Sequence, residues 1–215
     1  MQRIRAHRFF LFLVPALGIV AFGWTLLLAL QYPQRTITID SVEYWGLGRN
    51  IAERHSFAAH DDPSHPELYR TPGYPVLLAL CRPWESMFRA RLAILVNALL
   101  LASTAALVCV IARRMGTGSG PVLAGVLLLQ PPVLVHSLRF GTEALFALLI
   151  PPWLFLVLPT SRFCLARWIA GCFILGAAAL VRPIALAILV PCLVVALLHS
   201  FRRASRGRAL LFIVA

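Results

Sequence analysis

The segment from Phe9 to Leu30 is a run of about 22 residues without a charge, and it follows a basic head, MQRIRAHR. A helix of this length crosses the ~30 Å hydrocarbon core of a bilayer and exceeds the core of a typical signal peptide. We therefore predict an uncleaved first membrane span with a cytoplasmic N-terminus. Such a chain is built from helices, because a helix satisfies its own backbone hydrogen bonds in lipid.

Five further apolar runs follow, at about 92–112, 119–136, 144–159, 168–181 and 184–199. The last two are either one helix broken at Arg182-Pro183 or two helices. Two helices place the arginines of FRRASRGR (201–208) in the cytoplasm, as the positive-inside rule requires. We therefore predict an all-α polytopic bundle of about six spans, with residues 1–215 as a single membrane domain. The final ALLFIVA begins a seventh span that it cannot complete, so we expect a C-terminally truncated protein.

The composition supports a membrane protein, since 60% of the residues are hydrophobic and 13% are charged. The formal net charge of +12 comes from arginine alone. These arginines lie between the apolar runs and not in one patch, which favours membrane topology over nucleic-acid binding. The five cysteines lack ligand spacing, so we predict neither a disulfide framework nor a zinc site.

In this topology every acidic residue falls on the extracytoplasmic side. Acids contribute little to the orientation of a span, so their segregation places any chemistry on that side. Most of them lie in the first outer loop, residues 31–91. The acids are Asp40, Glu43, Glu53, Asp61, Asp62, Glu67, Glu85 and Glu143.

The loop opens with an amphipathic pattern from Ser41 to Phe57, in which Tyr44 and Leu47 share an apolar face. The pattern predicts a helix lying on the outer membrane surface. Asp40 begins it, and Asp40-x-x-Glu43 has the spacing of a capping box with Asp40 as N-cap. A capping carboxylate can also face an incoming hydroxyl, so capping and catalysis both stay open for Asp40.

The stretch LYRTPGYPVLLAL (68–80) contains a proline-glycine turn and then predicts a short apolar helix that re-enters the membrane. Arg70 at this turn either binds a lipid phosphate or anchors the chain at the interface, where Tyr74 would belong to the aromatic belt. His55, His60 and His65 recur every five residues, which is not a helical ligand spacing and does not favour a metal site.

The second outer loop, HSLRFGTEALFALLI (136–150), places Arg139 just before Glu143, which opens a span. An acid at the membrane interface is a functional candidate. In a first helical turn it also complements the helix dipole, and the sequence favours neither role. We expect a polar cavity to hydrate Arg182 at the later hairpin.

In order, D-S-x-E-Y-W, RTPGYPVLLAL, TEALF and the later RP resemble the N-terminal part of lipid-dependent glycosyltransferases of the GT-C superfamily. The closest group is the bacterial relatives of protein O-mannosyltransferases and of the aminoarabinose-lipid A transferase. The resemblance implies an inverting hexosyl- or pentosyltransferase of the plasma (inner) membrane. Its donor would be a polyprenyl-phosphate-linked sugar, and its acceptor a hydroxyl of a glycan, lipid or protein on the extracytoplasmic side.

The resemblance also implies site residues. Asp40 matches the family's catalytic acid, and Glu143 matches its acid in the second outer loop. Members often carry a second acid after the first; Ser41 stands there, and Glu43 is the candidate substitute. The candidates for the carrier phosphate and substrate are Arg70, Tyr74, Arg139, Arg182 and Tyr44.

Some relatives use a divalent cation, Mg²⁺ or Mn²⁺, near these acids and others do not, so Asp40 and Glu143 would be its ligands if one binds. In such a reaction cations stabilise the leaving phosphate, and a carboxylate on the opposite face of the sugar activates the acceptor hydroxyl. Two alternatives stay open. One is a transporter or lipid flippase, although the sequence lacks the internal repeat typical of many transporters; the other is a non-catalytic, truncated membrane subunit.

Overall fold

The computed structural model describes residues 2–59, 65–157 and 165–188. The predicted all-α class is confirmed for these residues, which contain no β-strand beyond an isolated bridge between Ala58 and Pro66. His60, FRRASRGR and ALLFIVA lie outside the described residues. The helices are α1 (Gln2–Gln31), α2 (Ile39–Arg54), α3 (Gly73–Cys81), α4 (Met87–Arg114), α5 (Gly120–Leu129), α6 (Pro131–Leu138), α7 (Glu143–Val157) and α8 (Leu165–Val181), with a 3₁₀ turn at Pro33–Thr36.

Within the described residues, two helices are long and apolar enough to cross a membrane: Leu11–Gln31 within α1, and α4. Helices α5 and α6 make a third span if they are counted together, but they meet at a bend of 70°. The predicted single run 119–136 is therefore broken. The reason is local, because Gln130 precedes Pro131 and takes an extended conformation. Helices α7 and α8 are apolar but shorter, with 15 and 17 residues.

Helices α1 and α5 approach each other through glycine. A Cβ on Gly18 would lie 2.8 Å from the carbonyl oxygen of Gly125, and a Cβ on Gly125 would lie 2.7 Å from that of Val14. Small residues of this kind let helices pack closely in membranes. The other side of α1 exposes large apolar side chains such as Phe12 and Trp24, a surface that suits lipid contact.

Helix α2 confirms the amphipathic pattern, with bounds shifted two to three residues towards the N-terminus. Its apolar face does not lie open, because Tyr44 and Leu47 are buried. Tyr44 and Tyr74 pack edge to face, with ring centroids 5.6 Å apart. The predicted short helix after the turn is also confirmed as α3, which packs against α2 and α4.

The predicted capping box at Asp40 is wrong. Thr38 is the N-cap: its side chain accepts a hydrogen bond from the backbone N–H of Ser41, and the Ser41 side chain accepts one from the N–H of Thr38. Asp40 therefore lies in the first turn with its carboxylate unused by the cap, and Glu43 lies beyond the box. The sequence permits either Thr38 or Asp40 as N-cap, since Thr38-x-x-Ser41 has the same spacing as Asp40-x-x-Glu43.

Helix α8 ends at Val181, and a turn at Arg182–Ile184 leads into a helical turn at residues 185–188. The predicted break at Arg182-Pro183 is confirmed. At the other end of α8, Arg167 donates a hydrogen bond to the carbonyl oxygen of Phe155 at 2.7 Å. Arg114 at the end of α4 also lies over the Phe155 ring, so Arg114 and Arg167 lie close together at this end of the described bundle.

Candidate functional site

A cleft of about 490 Å³ lies where four separate parts of the chain meet. They are the start of α2, the segment before α3, the connection from α6 to α7, and the turn after α8. The side chain of Arg91 near the start of α4 bonds to the carbonyl oxygen of Leu30, so the end of α1 lies at the same end of the bundle. The lining residues are Thr38, Asp40, Tyr44, Tyr69, Arg70, Thr71, His136, Arg139, Phe140, Gly141, Thr142, Glu143, Val181, Arg182, Pro183 and Ile184.

Arg70 binds two carboxylates at once. Its Nη2 donates to Asp40 Oδ1 at 2.7 Å, and its Nε donates to Glu43 Oε2 at 2.7 Å. The side chain of Asp40 is 63% exposed and that of Glu43 is 41% exposed, so both carboxylates remain accessible to a ligand. Asp40 and Glu43 were predicted from one motif and Arg70 from another, and the three residues form one cluster with a formal charge of −1.

The position of Arg70 is set by its neighbours. Glu67 Oε1 accepts the backbone N–H groups of Tyr69 and Arg70 at 2.6 and 2.9 Å, which fixes the turn. The Thr71 hydroxyl donates to the carbonyl oxygen of Val181 at 2.8 Å, joining this segment to the end of α8. Gly73 permits that contact, because a Cβ there would lie 2.7 Å from the carbonyl oxygen of Leu180.

The ring of Tyr44 packs against the Arg70 side chain of this cluster. The Arg70 guanidinium lies over its ring at 5.3 Å from the centroid, a cation–π contact. Burial raises the pKa of the Tyr44 phenol above its usual range, although Arg70 acts in the opposite direction. The phenol is therefore protonated at neutral pH and has an O–H available to donate to a ligand oxygen.

Glu143 and Arg182 form a second ion pair in the cleft. Arg182 Nη2 donates to Glu143 Oε1 at 2.8 Å, which links the start of α7 to the turn after α8. The Arg182 guanidinium also lies 6.0 Å from the centroid of the Phe146 ring. The predicted polar surroundings of Arg182 are thus provided by Glu143 and the cleft, and this pair is formally neutral.

Tyr74 does not belong to the cleft surface. It is fully buried rather than part of an interfacial aromatic belt, so both roles predicted for it are wrong. The amide Nδ2 of Asn97 donates to the Tyr74 hydroxyl at 2.9 Å and to the carbonyl oxygen of Arg139 at 2.8 Å. Tyr74 and Asn97 therefore position the backbone at Arg139 from below. The sequence offered one signal, a lone amide within the apolar run of α4.

Arg139 lines the cleft and is partly buried. Among the residues that the structure describes, no carboxylate or carbonyl group accepts from its guanidinium. His136, on α6, is exposed and lines the same cleft, and its imidazole likewise has no hydrogen-bond partner within the described part of the chain. Sequence reasoning missed His136, because Arg139 lies just beyond the end of α6 in an extended conformation, so no helical spacing links the two residues.

The cleft does not fit a divalent cation. Within 2–59, 65–157 and 165–188, no three His, Cys, Asp or Glu side chains lie close enough to hold a metal ion. Arginine already bonds both Asp40 and Glu143, the two candidate ligands. Mg²⁺ takes about six oxygen ligands, several of them water, and one or two carboxylates must be free to bind it.

Comparison of the chain with known protein families, with curated proteins and with solved structures finds no match.

Proposed function

We propose that this protein is a membrane glycosyltransferase of the GT-C type, which transfers a sugar from a polyprenyl-phosphate carrier to an acceptor hydroxyl with inversion. One observation carries the proposal. Three arginines and three carboxylates from four distant segments converge in or beside one accessible cleft at an end of an apolar helical bundle.

The two kinds of charge suit the two halves of this reaction. The carrier phosphate leaves with developing negative charge, which guanidinium groups stabilise through charge-assisted hydrogen bonds. The acceptor hydroxyl needs a carboxylate on the other face of the sugar. We assign that role to Asp40, which is the more exposed of the two carboxylates that Arg70 holds. Glu43 and Arg70 keep it in place.

Glu143 and Arg182 join the start of α7 to the turn after α8 and form the wall of the cleft next to Tyr44 and Arg139. In the proposed reaction Glu143 orients the sugar hydroxyls by accepting from them. Tyr44 donates its phenolic O–H to an oxygen of the lipid-linked sugar, since its raised pKa keeps the phenol protonated.

The proposed topology has about six spans and a cytoplasmic N-terminus, in the plasma (inner) membrane. Arg114 and Arg167 then face the cytoplasm, and the cleft with its acids faces outward. A lipid-linked donor would reach such a cleft from the outer leaflet, next to the ends of α1, α6 and α8.

The test is a transfer assay with the full-length protein in membranes, supplied with a polyprenyl-phosphate-linked sugar. Asp40→Asn should lower the rate by about 10²–10⁴-fold, the usual contribution of a general base. Glu53→Gln is the matched control, because Glu53 lies on the same helix but pairs with Arg49 outside the cleft. Unchanged transfer by Asp40→Asn at equal protein level would refute the assignment. Vesicle transport of a lipid or solute without transfer would favour a flippase or transporter.

A further inference from the structure

We propose that Arg139 and His136 form the anion seat of the cleft, which binds a phosphate ester, and that Arg70 and Arg182 serve to hold carboxylates. The inference deepens the proposed function and rests on it for the identity of the carrier. Of the three arginines, which the sequence could not distinguish, Arg139 binds the ligand, and Arg70 and Arg182 position protein groups.

The division follows from how the charges pair. Arg70 is shared by Asp40 and Glu43, so that corner of the cleft carries a formal charge of −1 and repels an anion. Arg182 with Glu143 is formally neutral. Arg139 supplies +1, and no carboxylate among the described residues offsets it. An anion entering the cleft is therefore attracted to the end of α6 and away from the start of α2.

The chemistry of the two side chains fits a phosphate ester. A guanidinium presents two parallel N–H donors that match two phosphate oxygens, and an imidazole adds a third donor. The backbone below is fixed, because Asn97 bonds the carbonyl oxygen of Arg139. The Arg139 side chain therefore extends into the cleft from a fixed backbone, which reduces the conformational entropy lost when a ligand binds.

The rim next to the seat favours an amphiphilic ligand. Tyr69 is 93% exposed and Ile184 is 64% exposed, and both line the cleft on the side of α3 and α8. Exposed apolar side chains beside the Arg139 guanidinium match a ligand with an anionic head and an apolar chain. The shared chemistry is a phosphate ester, and its source is either a lipid headgroup or free phosphate.

The first experiment measures binding to the purified full-length protein in nanodiscs made of zwitterionic lipid. The probes are farnesyl phosphate, inorganic phosphate and farnesol. Farnesyl phosphate should bind at least about tenfold more tightly than farnesol, as expected for a charge-assisted contact worth about 1.4 kcal/mol. Tighter binding of farnesyl phosphate than of inorganic phosphate identifies a lipid headgroup, and equal binding identifies a free anion.

Variants then locate the seat. Arg139→Gln should weaken farnesyl phosphate binding by about tenfold or more, Arg139→Lys by less, and His136→Asn by about threefold. Arg182→Gln should weaken farnesyl phosphate binding less than Arg139→Gln does, because the Arg182 guanidinium is already paired with Glu143. Arg49→Gln, which removes one arginine outside the cleft, is the control for net charge. Binding by Arg139→Gln within about twofold of the unaltered protein would overturn the proposal.

A measurement on the unaltered protein covers the case in which these variants fail to fold. Phenylglyoxal modifies accessible guanidinium groups, and mass spectrometry follows each arginine. Arg139 should react faster than Arg70 and Arg182, and farnesyl phosphate should protect it most strongly; equal reactivity with and without the ligand would refute the seat. The outcome is separable from the proposed function. Binding without sugar transfer would leave the seat standing, whereas transfer with an unchanged donor KM in Arg139→Gln would remove it.

Discussion

The buried amide of Asn97 should be a measurable support of the cleft. It is 1% exposed in the middle of α4, and its single nitrogen donates to both the Tyr74 hydroxyl and the carbonyl oxygen of Arg139. Asn97→Ala removes the hydrogen bonds to both oxygens, although the carbonyl oxygen of Arg139 keeps the backbone N–H of Gly141 as a partner. Those oxygens belong to α3 and to the connection before α7, so the change loosens three parts of the fold at once.

Two scales give the magnitude. In water-soluble proteins a hydrogen bond contributes about 0.5–1.5 kcal/mol net, so the loss of two would cost about 1–3 kcal/mol. Hydrogen bonds between membrane helices average about 0.6 kcal/mol in double-mutant cycles, which gives about 1.2 kcal/mol for two. Since α4 is one of the two helices long enough to cross a membrane, the lower scale applies. We expect Asn97→Ala to cost about 1–3 kcal/mol once lost packing is included.

The assay is a double-mutant cycle with Tyr74→Phe, measured as the free energy of unfolding in mixed micelles. The coupling between the two sites should be about 0.6 kcal/mol and at most about 1.7 kcal/mol. Thr104→Ala is the matched control, because Thr104 is buried on the same helix but bonds only to the carbonyl oxygen of Leu100. A coupling below about 0.3 kcal/mol, the usual limit of additivity, would refute this account of the amide.

Two further predictions concern helix packing and capping. Gly18→Ala should destabilise the protein by about 1–3 kcal/mol because its Cβ would meet the backbone of Gly125, whereas Gly23→Ala on the same helix meets nothing within 4 Å and should be neutral or stabilising. Thr38→Ala should lower the free energy of unfolding by about 1 kcal/mol through loss of the N-cap. Asp40→Asn, measured by the same unfolding experiment, should cost less than Thr38→Ala, because Asp40 does not cap α2; the reverse order would contradict the observed cap.

The helices themselves were largely predictable from the sequence. Charge-free runs of sufficient length fix α1 and α4, and the 3.6-residue pattern fixes α2 to within three residues. The break between α5 and α6 also has a local signal, because Gln130 is followed by two prolines. The apolar run 119–136 was nevertheless interpreted as one span. These features depend on neighbours in the chain, and periodicity and proline rules describe such neighbours.

The site was predictable as a set of residues but not as an arrangement. Asp40, Glu43 and Arg70 were each candidates, yet a capping frame and an ion pair 30 residues away in sequence compete for Asp40. The cap formed one frame earlier, at Thr38 and Ser41, which left the Asp40 carboxylate to pair with Arg70. Tyr74 shows the opposite case, because a tyrosine after a turn resembles an interfacial anchor until the buried amide that it contacts is known.

The described acids have partners in the fold that do not depend on any chemistry. Each described acid lies at the cleft end and bonds a nearby group: Glu53 with Arg49, Glu85 with Arg82 and Arg89, and Glu67 with backbone N–H groups. Pairing with these neighbours is enough to account for where the described acids lie. The acid count alone is therefore weak support for chemistry. What distinguishes the cleft is the uneven pairing within it, where Arg70 has two carboxylates and Arg139 has none among the described residues. A separation of charge across one cavity is what a reaction with an anionic leaving group and a hydroxyl acceptor requires.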